Sequence, residues 1–153
     1  MPPPTTPAPV VLDTQVVLDL LLFGDASTDA LRTALDAGRL QWIATAAMRE
    51  ELARVLAYPR IAAWAARHGR VAEAVLAGFD ARARRVDAAP PAAPRCADPD
   101  DQVFIDLAIA HRALLLSKDR HVLIMRASLA FFSVEVVKQL NTDGPAGGQS
   151  ARG

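Results

Sequence analysis

Asp13 directly follows the apolar run Val10-Val11-Leu12, and Asp119 stands three residues beyond the run Ala113 to Leu116. If both runs are strands of one parallel sheet, the two carboxylates emerge at the same edge, which is where ligands bind in open α/β sheets. Asp98, Asp100 and Asp101 open a helix in a neighbouring connection. The simplest local explanation for acids there is capping, because they accept from free amides and suit the positive end of the helix dipole. Three acids in four positions exceed what one cap needs. Like charges held together repel, and a bound cation relieves that repulsion.

Hard carboxylate oxygens suit Mg²⁺ or Mn²⁺, and Mg²⁺ usually keeps several waters while meeting one or two carboxylates. Such an ion activates water and stabilises an in-line phosphoryl displacement. Other chemistries fit less well. The single cysteine, Cys96, makes no internal disulfide and reads as a buried or half-buried filler, and no Cys/His cluster has zinc spacing. His68, His111 and His121 have no serine in a nucleophile turn, and there is no phosphate-cradling glycine-rich loop. A strand ending in Asp also opens haloacid-dehalogenase-like phosphatases, but Gln15 occupies the place of their general acid.

The elements that must position these groups alternate between strand and helix. Val10 to Leu12 reads as a buried strand, and a helix from about Val16 to Phe23 closes at Gly24. Ser27 or Thr28 caps a helix through Asp36, with Gly38 as its stop. Gln41 to Thr45 is a second strand. A helix follows from about Ala46 to Ala57, its stripe being Met48, Leu52, Val55 and Leu56, with Pro59 marking its end. Residues 61–86 read as one helix broken near Gly69 or as a hairpin of two, and Ala88 to Pro94 as a loop. After the helix opened by Asp98, the spacing predicts a third strand over Ala113 to Leu116, a fourth over Leu129 to Val134, and a short helix ending near Leu140. Parallel neighbours need crossover helices, so the pattern implies a three-layer α/β/α fold around a parallel sheet of four to five strands.

The chain has 153 residues, 52% of them hydrophobic, enough for one domain with a full core. The proline-rich opening (1–8) and the tail (141–153) lack apolar periodicity and read as disordered, which leaves 9–140 as the folded domain. No apolar stretch reaches the roughly 20 residues a membrane helix needs. The opening also lacks the basic and apolar regions of a secretory signal, so the expected location is cytoplasmic, with no membrane partner. Basic and acidic residues balance at 17 each, but seven arginines lie between Arg60 and Arg95 against three acids, Glu73, Asp80 and Asp87. That segment could face phosphates or simply be a solvated helix face.

Four runs together resemble the PIN-domain family. Val10 to Leu18, with Asp13-Thr14-Gln15 at its centre, is similar to the family's opening strand and Asp-Thr-Asn. Glu50 to Leu56 resembles its central acidic helix, Asp98 to Ala108 its third motif, and Leu115 to Leu123 its fourth. The runs occur in the family's order over residues 10 to about 140. The resemblance is closest to the VapC-like ribonuclease toxins of bacterial toxin–antitoxin pairs. It implies Asp13, Asp101 and Asp119 as metal ligands for Mg²⁺ or Mn²⁺, and Glu51 as a further catalytic acid that positions water or a second ion. A boundary shift of one residue would exchange Glu51 with Glu50, and Asp100 can supplement Asp101.

Three positions depart from the family pattern. Gln15 replaces Asn, Lys118 stands where a small residue is common, and His121 where a second acid often follows. Lys118 would steady a phosphate or be a surface cation, and His121 reads as structural or solvated. Asp19 reads as peripheral and Asp106 as a solvated helix residue; Trp42, Trp64, Phe79, Phe104, Phe131 and Phe132 read as core or dimer contacts. The resemblance further implies an RNA substrate, a cognate antitoxin protein and homodimerisation. The alternative that Gln15 and His121 motivate is a catalytically weak RNA- or protein-binding module acting by sequestration.

Overall fold

A computed structural model describes residues 6–141. The tails expected at 1–8 and 141–153 therefore fall largely outside the described residues.

Five parallel strands form one sheet in the order β3-β2-β1-β4-β5. β1 (Ala8–Leu12) takes the centre because its apolar, β-branched residues tolerate burial on both faces, and Val10, Val11 and Leu12 are buried. It pairs with β2 (Leu40–Ala44) on one side and β4 (Leu114–Leu116) on the other, with Val10 opposite both Trp42 and Leu114, and Leu12 opposite Leu116. β2 also carries β3 (Arg84–Arg85), and β4 carries β5 (Val136–Val137).

The order of connections places the helices. From β1 the chain steps outward twice through α1 (Thr14–Leu18), α2 (Asp29–Asp36), α3 (Ala46–Leu56), α4 (Pro59–Arg67) and α5 (Ala72–Arg82). It then crosses back to the far side of β1 through α6 (Gln102–His111), and ends with α7 (Arg120–Leu123) and α8 (Arg126–Ala130). Because parallel crossovers are right-handed, reversing the direction of travel moves the later helices to the opposite face. Helices thus flank the sheet on both faces, with β1 and β4 at the reversal point.

Local chemistry explains where each segment stops. Asp13 accepts from Val16 N at 2.9 Å and so starts α1, which runs on as a π-helical segment over Asp19–Phe23. Gly24 closes that segment with φ +63°, a conformation glycine adopts freely. Arg32 and Arg70 donate to the Leu20 and Leu22 carbonyls, which satisfies acceptors along the segment. Tyr58 is the N-cap of α4, so Pro59 is that helix's first residue as well as the mark of the end of α3. The helical region after it is two helices, separated by Gly69 at φ +64°.

The carboxyl-terminal expectations need correction. Leu129 belongs to α8, and the chain turns through Phe131–Ser133, with Ser133 at φ +63°, before the fifth strand begins at Val136. Short apolar runs do not distinguish strand from buried helix, and here only Leu129 and Val134 of the run are fully buried. Phe131 is 89% exposed and Phe132 39%, so neither is a core residue. No helix follows β5 before Leu140. β3 was not legible because both its residues are charged and exposed, as an edge strand allows.

Candidate metal centre

The reversal point between β1 and β4 opens at the carboxyl end of the sheet into a cleft of about 310 Å³. Asp13 enters it from the end of β1, and Glu51 from α3. Asp100 and Asp101 enter from the 3-10 turn ahead of α6, and Lys118 and Asp119 from beyond β4. Thr14, Gln15 and Phe104 complete the walls. Glu50 is exposed on α3 and does not line the cleft.

Asp13 is buried and held at both oxygens. Oδ1 accepts from Val16 N, and Oδ2 accepts from Ser117 Oγ at 2.5 Å. Burial raises its pKa, the hydrogen bonds from Ser117 and Val16 oppose that, and the nearby Asp119 and Asp19 add to the rise. Ser117, fully buried, also accepts from Asp119 N at 3.1 Å, so one hydroxyl spaces the two acids. Asp119 Oδ1 in turn accepts from His121 N at 2.7 Å and lies 3.2 Å from His121 Nδ1.

Asp101 is the least comfortable group. Its Oδ2 is buried with no hydrogen-bond partner among the described residues. Burial first, then the carboxylates of Asp119, Asp98 and Asp13, push its pKa up to about 7. One donor atom from each of Asp98, Asp101, Asp119 and His121 lies within 4.8 Å of the others. Asp13 is not a member of that tightest group, although its charge bears on both Asp101 and Asp119. Asp98 meanwhile caps the 3-10 turn by accepting from Asp100 N at 3.0 Å, so capping and a place in the acidic group coexist.

A carboxylate with one orphaned, buried oxygen, grouped with three other carboxylate or imidazole ligands, is what a divalent cation fits. The group offers three carboxylates and one imidazole.

Several supporting residues escaped sequence reasoning. Asp19 does not line the cleft but is buried behind it: its Oδ1 accepts from Gln15 Nε2 at 3.0 Å and its Oδ2 from Lys118 Nζ at 2.6 Å. Lys118 thereby stands at the cleft as a tethered cation, with Ser27 Oγ a further 3.3 Å contact. Asp106 is not free in solvent either, since it accepts from Ala92 N and from Gln102 Nε2. His121 sits in α7 beside the acids rather than in a loop. Its spacing of two from Asp119 was the available signal, and for Ser117 it was the place directly after an apolar strand. Glu51 forms an ion pair with Arg54 one turn along α3. Cys96 is half-buried; its thiol donates to the His121 carbonyl, and burial raises its pKa.

The family model for the PIN domain matches residues 9–121, well over half of the chain. The chain belongs to the PIN-domain family. PIN domains form a nuclease superfamily and are generally metal-dependent, which agrees with an acidic cleft at the switch point of a parallel sheet. The PIN-domain match begins within β1 and ends at His121, so it spans all four stretches that supply the cleft. No curated protein matches the chain. Among the described residues no helix is long and apolar enough to cross a membrane.

Proposed function

We propose that this PIN domain is a metal-dependent endoribonuclease that hydrolyses RNA phosphodiester bonds, acting as the toxin of a bacterial toxin–antitoxin pair. The observation that carries the catalytic part is the grouping of Asp98, Asp101, Asp119 and His121, in which Asp101 keeps one buried oxygen, Oδ2, without a partner among the described residues. Asp101 and Asp119 would hold the ion, with Asp13 behind them and Asp98 and His121 within reach. When bound, a divalent cation neutralises phosphate charge and lowers the pKa of water. Carboxylates alone suit Mg²⁺ or Mn²⁺, and the imidazole of His121 shifts the balance toward Mn²⁺.

The remaining residues have roles that follow from their contacts. Ser117 fixes Asp13 and Asp119 relative to each other. Glu51, at the cleft wall, orients water by accepting its proton in a hydrogen bond, with Arg54 holding the carboxylate in place. Lys118, tethered by Asp19, offsets the charge on the scissile phosphate. An antitoxin that inserts a cationic side chain into the acidic cleft would block it. The toxin role rests on the sequence resemblance.

The test is cleavage of single-stranded and structured RNA in Mg²⁺ and in Mn²⁺ by the wild type and by Asp13→Ala. Loss of cleavage in the variant, with an unchanged circular dichroism spectrum, is the expected result; retention of full cleavage would refute the assignment. RNA binding in chelator with no cleavage in any metal would favour sequestration instead.

A further inference from the structure

α4 places none of its residues in the buried core, yet it walls a groove of about 720 Å³. Phe23, Tyr58, Arg60, Ile61, Trp64 and Arg67 line it. The Trp64 ring is fixed from several directions: Phe23 meets it edge-on at 4.6 Å, His68 stacks on it at 3.8 Å, and the Arg70 guanidinium lies 5.8 Å from its centroid. Tyr58, at the rim, is 49% exposed. No carboxylate lines the groove, and among the described residues neither Arg60 nor Arg67 forms an ion pair.

The groove and the acidic cleft share no lining residue, and Arg54 bridges from one toward the other. Glu51 in the cleft pairs with Arg54, which in turn reaches toward the Tyr58 hydroxyl. A polymer whose phosphodiester is held in the cleft must run its flanking nucleotides across the adjoining surface. The surface reached through Arg54 offers an exposed aromatic face and two uncompensated guanidinium groups, the pair of features that bind single strands without base-edge readout.

We propose that this groove is the track for single-stranded RNA flanking the scissile bond, with a base stacked on Tyr58 against the Trp64 floor and phosphates on Arg60 and Arg67. The identity of the polymer rests on the endoribonuclease reading; the groove itself does not. An acidic peptide would also satisfy the arginines; the exposed tyrosine beside them and the place of the groove next to the cleft favour a substrate strand.

The experiment titrates the full-length protein, in chelator so that no turnover occurs, with a fluorescein-labelled single-stranded oligoribonucleotide of about 12 nucleotides, within the usual site sizes. Tyr58→Ala is expected to weaken binding about 5- to 10-fold. The pair Arg60→Ala and Arg67→Ala is expected to flatten the slope of log affinity against log salt by about 1.4. Thermal melts check that these exposed substitutions leave the fold intact. Wild-type affinity and salt slope in both variants would overturn the proposal. So would a Glu-rich amphipathic peptide whose binding the variants abolish while RNA binding is unaffected. Because binding is read without turnover, absence of cleavage by the wild type strikes only the nuclease reading.

Discussion

Asp101 concentrates the electrostatic strain of the cleft in one side chain. Its carboxyl keeps a proton up to about pH 7 in the fold, whereas an unfolded aspartate releases it near roughly pH 4. Between those values the folded state binds the extra proton, so metal-free stability falls as pH rises through that window and the loss is complete above it. Asp13, also raised, acts with the same sign. A divalent cation removes the penalty by replacing the proton as counter-charge. In chelator the Tm is therefore expected to drop from pH 5 to pH 8, and added Mn²⁺ to raise it more at pH 8 than at pH 5. Asp101→Asn should flatten the metal-free profile. A wild-type Tm in chelator that does not change over this range would contradict this origin of the strain.

At the scale of elements, the loop before α6 depends on one buried amide. Gln102 Oε1 accepts from Cys96 N at 2.6 Å, while its Nε2 donates to the Pro94 carbonyl and to Asp106 Oδ1. These bonds pin residues 94–96 against α6, and Asp98 follows two residues later. Gln102→Ala leaves a backbone amide and a carbonyl without partners and takes one of two hydrogen bonds from Asp106, at a cost of about 2 kcal/mol. The variant is expected to show a lower urea midpoint and several-fold weaker Mn²⁺ binding by calorimetry, since Asp98 is no longer held. Equal stability and equal metal affinity would show that the loop is positioned by something else. The opposite rim is tied in a similar way, with Lys118 beyond β4 anchored to Asp19 of the π-helical segment. The two sides of the cleft are thus each braced from behind by a polar group that does not itself line it.

For the whole molecule, the cleft exists only while the sheet does. Its acids come from the end of β1, from α3, from the turn before α6 and from beyond β4, which only the crossovers bring together. Metal binding and folding should therefore be one equilibrium. Mn²⁺ at 100 times its Kd is expected to add about 2.7 kcal/mol to the free energy of unfolding, with metal release and loss of helical circular dichroism sharing a midpoint in urea. Asp13→Ala with Asp101→Asn should abolish the increment. Metal retained by the unfolded chain would contradict the coupling.

Local rules govern what the sequence alone determined. Apolar runs and helical periodicity marked β1, β2, β4, α3 and α6, and the glycines at 24 and 69 marked two stops. The placement of Asp13 and Asp119 after apolar runs pointed to one edge of a parallel sheet. Those signals are carried by neighbours a few residues apart, so composition records them. The tertiary structure alone decided that Ser117 holds Asp13 and that Lys118 neutralises a buried Asp19, contacts that join residues 104 and 99 positions apart. It also decided that Asp98 and His121 face Asp101, that Arg84–Arg85 pair with β2, and that the last strand forms at Val136 rather than Leu129. The energies of such contacts depend on which distant groups share a desolvated space, and a short stretch of sequence holds no trace of its partner.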